Sequence, residues 1–402
     1  MNSGVIIREF SIIRCLSGRE LNYRDITLEE IRLMLEENER DRQFGEAVTT
    51  QPNNPSLHPI NKGLTTDNII REMMLDVYQD GFTMQYPDPV GVVILQPQRK
   101  FFYRGESEMY PTTMSSLGRI LKDIDNAGER EAEQLVAHVK CLQFAKLIQP
   151  LENVRAFEML GITVQYEAIA QHYGFKTFLM DMTSDFEVAL FFACCKFENG
   201  RWHPLTLDDT EEAEEKKYGL IFQRPVFPWS MMPDDNHPIF PIGYQPFIRC
   251  SNQTGYTIPM MEGDDLKTMN LPGMQLLRFR HNPKLSQWIY DKMEGGNKIY
   301  SKKDVLSVIG NKLDSFIRSK VIDDATLDDV LCNNVEWNSH TPETWKQLIR
   351  QCGYTIGANP LTFTPAEEAK IAQQLAGFDI EQFYGIKLKT RMVYNGPTII
   401  KE

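Results

Sequence analysis

The sequence predicts an α+β protein: a central mixed or antiparallel sheet around one buried helix, flanked by N-terminal and C-terminal helical regions. Three observations indicate this class: strand-like segments in the middle of the chain, a helix–strand–helix run among them, and helical patterns at both ends. The strand-like segments are short, apolar and rich in residues that favour strands. They begin at Val90, Phe101, Phe175, Tyr218, Phe247 and Met274.

The helix–strand–helix run extends from residue 168 to residue 193. Gly174 predicts the end of its first helix, because glycine readily adopts the left-handed conformation that follows a last helical turn. The apolar segment 175–182 predicts a buried strand. Ser184 with Glu187 three residues later predicts a capping box, and the helix it opens is apolar on all sides, which favours a central position.

Polar residues are few in this run, and they fall at the helix end, the strand end and the predicted cap. Side chains at the ends of neighbouring elements can converge on one cleft, so these residues are the first candidates for a site. They are Gln171, His172, Asp181, Thr183 and Ser184.

Helical patterns flank this centre. A capping box from Thr27 to Glu30 predicts a helix that runs towards Gly45. Thr341 and Thr364, each followed by proline, predict the starts of two C-terminal helices. We therefore expect a mainly helical extension over 1–95, an α+β core over 96–290 and a mainly helical region over 291–402. A second N-terminal helix is predicted by Ile69, Ile70, Met73, Met74 and Val77.

The composition is that of a globular protein with an acidic balance, because 42% of its 402 residues are hydrophobic and the formal net charge is −12. The sequence has no apolar run of about 18 residues that would predict a membrane span. Charged residues within 3–13 do not suit a signal peptide. Seven irregularly spaced cysteines favour a cytoplasmic location, and the lack of Cys-x-x-Cys and His-Glu-x-x-His motifs predicts no metal site.

Arg104 and His172 are the leading candidates for chemistry. A guanidinium beside glycine at a strand end can hold a phosphate or carboxylate through two parallel hydrogen bonds. The alternative is a structural arginine that pairs with Asp181 or a loop carbonyl. His172 would hydrogen-bond a ribose hydroxyl or act as a base, or else it is a satisfied cap or core residue.

The remaining candidates each have a structural alternative. Burial would raise the pKa of Asp181 unless its carboxylate is paired. Thr183 and Ser184 suit a strand end and a helix cap, where an anion can also bind. Tyr103 suits the core better than a stacking platform, and Gln253 lies in a loop-like stretch where its amide could position a nucleophile.

An ordered series of motifs resembles the FRG family, which takes its name from a Phe/Tyr-Arg-Gly signature. The series is Phe102-Tyr103-Arg104-Gly105, then Ala-Gln-His-Tyr-Gly at 170–174, Leu-x-Asp-x-Thr at 179–183 and Ala-Leu-x-Phe-Ala at 189–193. The resemblance covers about residues 101–255. Family members commonly carry Arg and then Gln near the end of this region, which points to Arg249 and Gln253. Where they more often have Thr-Arg before the Leu-x-Asp motif, this chain has Lys176-Thr177-Phe178.

The order of these motifs also resembles that of ADP-ribosyltransferases. This resemblance implies that Arg104 grips NAD, that Thr183 and Ser184 shape the nicotinamide pocket, and that Gln253 or Glu262 stabilises the ribosyl cation. The two resemblances together imply a catalytic set of Arg104, His172 and Gln253. They imply a set that binds NAD as co-substrate, consisting of Tyr103, Arg104, Gly105, Asp181, Thr183 and Ser184.

Three functional hypotheses follow. An enzyme that transfers ADP-ribose from NAD to protein, nucleic acid or water requires Arg104, Thr183 and Gln253 to converge on one pocket. A non-catalytic module of a stress or defence system would hold a nucleotide or peptide in a shallow groove without an acid, and its terminal helical regions would bind a protein partner. The acidic charge disfavours nucleic acid, unless Arg249, Arg278 and Arg280 form a basic stripe.

Overall fold

The structure is a computed structural model. It describes residues 10–14, 20–50, 62, 63, 65, 68, 72, 81–87, 90–97, 99–211, 213–226, 238–269, 271–301, 303–333 and 335–393. The predicted helix with Ile69, Ile70, Met73, Met74 and Val77 lies outside these residues. Within them, no helix is both long enough and apolar enough to cross a membrane.

Helices α1 to α14 follow one another along the chain. They are α1 Leu28–Thr50, α2 Gly118–Leu121, α3 Ala127–Ile148, α4 Glu152–Met159, α5 Tyr166–His172, α6 Phe186–Cys194, α7 Leu207–Thr210, α8 Ile248–Asn252, α9 Pro283–Lys292, α10 Gly310–Arg318, α11 Asp324–Asn333, α12 Pro342–Gln351, α13 Pro365–Leu375 and α14 Ile380–Tyr384. Short 3₁₀ helices span Glu214–Lys217, Glu294–Gly296, Val305–Ile309 and Val335–Trp337.

Strands β1 to β15 are distributed among these helices along the chain. They are β1 Phe10–Arg14, β2 Glu20–Asp25, β3 Gly81–Gln85, β4 Val92–Leu95, β5 Phe101–Glu106, β6 Leu179–Thr183, β7 Cys195–Glu198, β8 Arg201–Pro204, β9 Tyr218–Pro225, β10 Phe240–Pro241, β11 Gly255–Pro259, β12 Gln275–Arg280, β13 Val321–Asp323, β14 Thr355–Gly357 and β15 Leu388–Val393.

An eight-stranded sheet forms the centre of the protein, in the order β1-β2-β12-β9-β5-β6-β11-β10. It is mixed, because β2 and β12 are parallel while the other neighbouring strands are antiparallel. Helix α6 is buried at every residue except Phe192 and packs against this sheet. The predicted α+β class, with helical flanks and a buried helix at its centre, is confirmed.

Three strand predictions need correction. The strand predicted from Val90 exists as β4, but it pairs with β3 in a separate three-stranded sheet, β15-β3-β4. The strand predicted from Phe175 begins only at Leu179, because Thr177 uses its backbone N–H and hydroxyl to bind Ser116 and Gln171. The backbone N–H of Thr177 is then unavailable for strand pairing, and its carbonyl accepts from the Leu117 N–H.

The stretch predicted as a strand from Phe247 is helix α8, and the strand β11 follows it. Phe247 and Cys250, three residues apart, are both buried, which is the spacing of a helical face and not of a strand. Phe247 packs edge-on against Tyr173 at a ring separation of 6.2 Å. Burial of the Phe247 ring therefore favours a helix over a strand in this stretch.

Two helix starts test the predicted caps. The Thr27–Glu30 capping box is confirmed, since the N–H of Glu30 bonds to the Thr27 hydroxyl and the Thr27 N–H bonds to the Glu30 carboxylate. The predicted cap at Ser184 is wrong: Asp185 caps α6 by accepting a hydrogen bond from the Glu187 N–H at 2.9 Å. The predicted boundaries at residues 95 and 290 stay predictions, although β2 pairs with β12 across the first of them.

Candidate functional site

A cavity of about 220 Å³ opens where β5, β6, α5, α6 and the end of α8 meet. The first helix of the central run brings His172 to it, the strand brings Asp181 and Thr183, and the chain after α8 brings Gln253. Every residue of the predicted catalytic and NAD-binding sets lines this cavity except Ser184; the lining residues of these two sets are Tyr103, Arg104, Gly105, His172, Asp181, Thr183 and Gln253. Their roles stay predictions.

Arg104 reaches the cavity from β5 with its guanidinium held on two sides. Its Nη1 donates to the backbone carbonyl of Asp181 at 3.0 Å, and its Nε donates to Glu106 at 3.3 Å. Glu106 is buried and also accepts a hydrogen bond from the Thr113 hydroxyl at 2.9 Å. Within the described residues Nη2 of Arg104 has no partner, so the fixed guanidinium keeps one donor group for a ligand.

His172 ends α5 with its ring almost completely buried. Burial lowers the pKa of His172, the charge of Asp181 opposes this shift, and the charge of Arg249 adds to it. The ring is therefore neutral at neutral pH. Its Nε2 has no hydrogen-bond partner among the described residues, which leaves one unpaired ring nitrogen beside the cavity.

Asp181 is held by a short chain of hydrogen bonds that starts in the loop before β6. The Thr177 hydroxyl donates to Oε1 of Gln171, and Nε2 of Gln171 donates to the Asp181 carboxylate. Gln171 also lines the cavity. The carboxylate therefore has a fixed orientation, and it brings a negative charge to the wall that carries Arg104.

Thr183 and Gln253 are joined across the β6–β11 pair. The Thr183 hydroxyl donates to the backbone carbonyl of Gln253 at 2.6 Å, and Thr183 lies opposite Gly255 in the sheet. Between them, Thr254 has a φ of 46°. The left-handed region is costly for a β-branched residue, by about 1–3 kcal/mol, and here it turns the chain from α8 into β11.

Tyr103, Gly105 and Ser184 also take part in packing. The Tyr103 ring lies 5.2 Å from the Phe186 ring, and burial raises the pKa of Tyr103 well above its usual range. A Cβ added at Gly105 would lie 1.8 Å from the carbonyl oxygen of Ala189, so only glycine lets α6 approach β5 this closely. Ser184 is fully buried, and its hydroxyl has no partner among the described residues.

Arg249 lies behind His172 and outside the cavity lining. It forms an ion pair with the buried carboxylate of Asp304 at 2.7 Å, lies over the Tyr173 ring at 4.3 Å and donates to the His172 carbonyl at 3.2 Å. Burial raises the pKa of Asp304 and the charge of Arg249 opposes the rise. The predicted Arg249 is thus a residue that positions the histidine segment.

Sequence reasoning missed Tyr300, which lines the cavity from the predicted C-terminal region. Nothing in its local sequence separates it from a core aromatic, and only the fold brings it to the cavity. The alternative candidate Glu262 lies elsewhere and pairs with Arg130 at 2.6 Å. Among the described residues, no group of three or more His, Cys, Asp or Glu could hold a metal ion.

The central segment of the chain matches a known family. A scan against protein-family models identifies an FRG domain over residues 99–201, the segment that contains β5, α5, β6 and α6. The chain therefore carries an FRG domain, as its motifs predict. Gln253 and Tyr300 lie beyond the matched residues. No curated protein and no solved structure matches the chain.

Proposed function

We propose that the cavity binds the nicotinamide-ribose end of NAD and that the FRG domain transfers ADP-ribose to an acceptor. The observation that carries this proposal is the convergence of Arg104, His172, Asp181 and Gln253, from four separate stretches of the chain, on one cavity. A concave site with a few convergent polar groups and an apolar remainder is typical of small-ligand binding.

The size of the cavity limits what it encloses. Pockets that bury a whole drug-sized ligand measure roughly 300–1,000 Å³, whereas this cavity measures about 220 Å³. Only one end of a dinucleotide would be enclosed. The unpaired Nη2 of Arg104 suits a phosphate oxygen at the mouth of the cavity, because guanidinium–phosphate hydrogen bonds are strong and directional.

The proposed reaction breaks the bond between ribose C1′ and the nicotinamide nitrogen. The leaving nicotinamide takes the electron pair, and positive charge develops on the ribose. The Asp181 carboxylate and the Gln253 amide oxygen would stabilise that charge, since preorganised groups of opposite charge act on the transition state. The acceptor then bonds to C1′ and gives its proton to His172, which is neutral and free to accept it.

A non-catalytic ligand-binding module is the second candidate. It is favoured by the hydrogen bonds that the polar groups already make with one another, because Arg104 binds Glu106 and Asp181 accepts from Gln171. The basic stripe that a nucleic-acid interface would need has little support. Arg249 is paired with Asp304 and Arg278 with Asp25.

The test is incubation of the full chain with NAD, with released nicotinamide measured by chromatography and NAD binding by calorimetry. We expect the wild type to release nicotinamide and Arg104→Ala to lose at least about 100-fold in kcat/KM, the usual cost of removing one charge-stabilising donor. Arg280→Ala, an exposed arginine on β12, is the matched control and should stay within about twofold. Binding without release would favour the second candidate, and absence of both would refute the proposal.

A further inference from the structure

A second cavity, also of about 220 Å³, lies between α3, the loop that follows α5 and the chain that follows α10. It shares no lining residue with the first cavity. Its charged lining residues are Glu133, Lys140, Lys176, Arg318 and Lys320. We call the last four residues the basic cleft, and their positive charge stands out because the whole chain carries a net charge of −12.

The charges of the basic cleft are only partly offset by a carboxylate, because the charge of Glu133 acts on Lys140 without an ion pair between them. None of its four cations forms an ion pair within the part of the chain that the structure describes. The single acidic neighbour, Glu133, instead accepts a hydrogen bond from the Tyr354 hydroxyl at 2.8 Å. Elsewhere in the same structure, surface lysines pair with nearby carboxylates: the exposed Lys146 and the half-buried Lys217 each do so at 2.6 Å. Convergent unpaired cations in a concave surface attract an anion.

Two of the cations also have local partners. Lys140 donates to the carbonyls of Ile317 and Ser319, both at 2.8 Å, and so satisfies the C-terminal end of α10. Burial lowers the pKa of Lys140 to about 8, and the charge of Lys320 adds to the shift. Lys320 lies 3.9 Å from the centre of the Tyr354 ring. These contacts fix two positive charges close together, and a bound anion would relieve their repulsion.

Apart from these charged residues, Ser319 and Tyr354, the cavity wall is apolar. Leu117, Ile120, Val136, Ala137, Phe175 and Ile317 line it. A cavity lined by both cations and apolar residues suits a ligand with both an anionic group and an apolar body. The small volume of the cavity favours a small molecule over a polymer.

We propose that the basic cleft is a binding site for a small molecule that carries a phosphate group on an apolar body. Lys176 and Arg318 are the residues that contact the phosphate most freely, because both are exposed and neither side chain makes a hydrogen bond within the described residues. The proposal does not depend on NAD chemistry in the first cavity.

The test is calorimetric titration of the full chain with phenyl phosphate and with inorganic phosphate at low ionic strength. We expect saturable binding of phenyl phosphate, tighter than that of inorganic phosphate because of the apolar wall, and weaker when salt is added. Lys176→Glu and Arg318→Glu should each weaken binding about tenfold, the usual worth of one charged hydrogen bond. Lys370→Glu, the same charge change on exposed α13, should change it less than twofold.

Circular dichroism establishes that each variant keeps its fold, and Arg104→Ala should bind phenyl phosphate as the wild type does. Absence of saturable binding to the wild type would overturn the proposal, as would equal losses in Lys370→Glu and the two cleft variants. A single-stranded oligonucleotide that binds through Lys176 and Arg318 while phenyl phosphate does not would overturn it in favour of a nucleic-acid surface.

Discussion

At the scale of single residues, the carboxylate of Asp185 holds the N-terminus of the central helix α6 in place through several contacts. Asp185 accepts hydrogen bonds from the Glu187 N–H at 2.9 Å and from Asn38 at 3.0 Å, and it pairs with Arg99 at 3.0 Å. Burial acts to raise the pKa of Asp185, but Arg99 and these hydrogen bonds lower it overall. The carboxylate is therefore charged in the folded protein and ties α1 to α6.

Replacing this carboxylate should destabilise the protein. We expect Asp185→Ala to lower the free energy of unfolding by about 2–3 kcal/mol, because it removes a helix cap and the ion pair with Arg99. Ser184→Ala is the matched control. Its hydroxyl has no partner within the described residues, so we expect a change within about 0.5 kcal/mol. Urea unfolding followed by circular dichroism measures both.

The same variants report on acid stability. Since the folded pKa of Asp185 is lowered, its contribution is fully present above its unfolded pKa, near 3.9, and is lost as the pH falls through the folded value. The difference between wild type and Asp185→Ala should therefore shrink in strong acid. Equal losses of stability in Asp185→Ala and Ser184→Ala would contradict this account of the cap.

At the scale of elements, the close packing of α6 on β5 fixes one wall of the first cavity. Gly105 makes it possible, because its backbone approaches the carbonyl of Ala189 more closely than any side chain would allow. Arg104 precedes this glycine on the strand, and Val188 and Ala189 line the cavity from the helix. The Arg-Gly pair thus combines a charged group with the contact that positions it.

A methyl group at this contact should separate the two elements. We expect Gly105→Ala to cost about 3 kcal/mol or more in the free energy of unfolding, because the clash is with backbone atoms that cannot rotate away. Gly310→Ala is the control, since a Cβ there meets nothing within 4 Å and the residue starts helix α10. It should be neutral or slightly stabilising. Comparable losses in the two variants, measured by thermal unfolding, would refute this reading of the contact.

At the scale of the whole molecule, the FRG segment 99–201 does not contain the strands that hold it together. Of the eight-stranded sheet it supplies β5 and β6, whose pairing is confined to Tyr103 opposite Thr183. Strand β5 pairs along its length with β9, and β6 with β11, and both partners come later in the chain. The matched segment is the core of a larger folding unit.

This arrangement predicts the behaviour of fragments. A fragment of residues 99–201 should show no cooperative unfolding transition, because β5 and β6 would each lose their main partner strand. A fragment of residues 20–393, which keeps these strands, should unfold cooperatively in urea. A sigmoidal transition and dispersed amide resonances in the shorter fragment would show that the segment folds alone.

The sequence predicts those structural features whose cause lies in nearby residues of the chain. The end of the first helix follows from the glycine at 174, and the buried α6 follows from its apolar sequence. The convergence of Arg104 with His172 follows from the order of the motifs. The sequence does not determine which residue caps the N-terminus of α6, because Ser184 and Asp185 are both good capping residues. Helix α8 and Tyr300 could not be predicted either, since burial of Phe247 against Tyr173 and the path of residues 291–304 are tertiary effects.

The ion pair between Arg249 and the buried Asp304 has a consequence for when the cavity forms during synthesis of the chain. A ribosome delivers Arg104 and His172 long before it delivers Tyr300 and Asp304, so the nascent chain holds an unfinished cavity for much of its synthesis. During that interval the guanidinium behind His172, which is only partly buried, lacks its counter-ion. The cavity and its support are thus completed only after residue 304 has emerged, because Tyr300 lines the cavity and Asp304 pairs with Arg249.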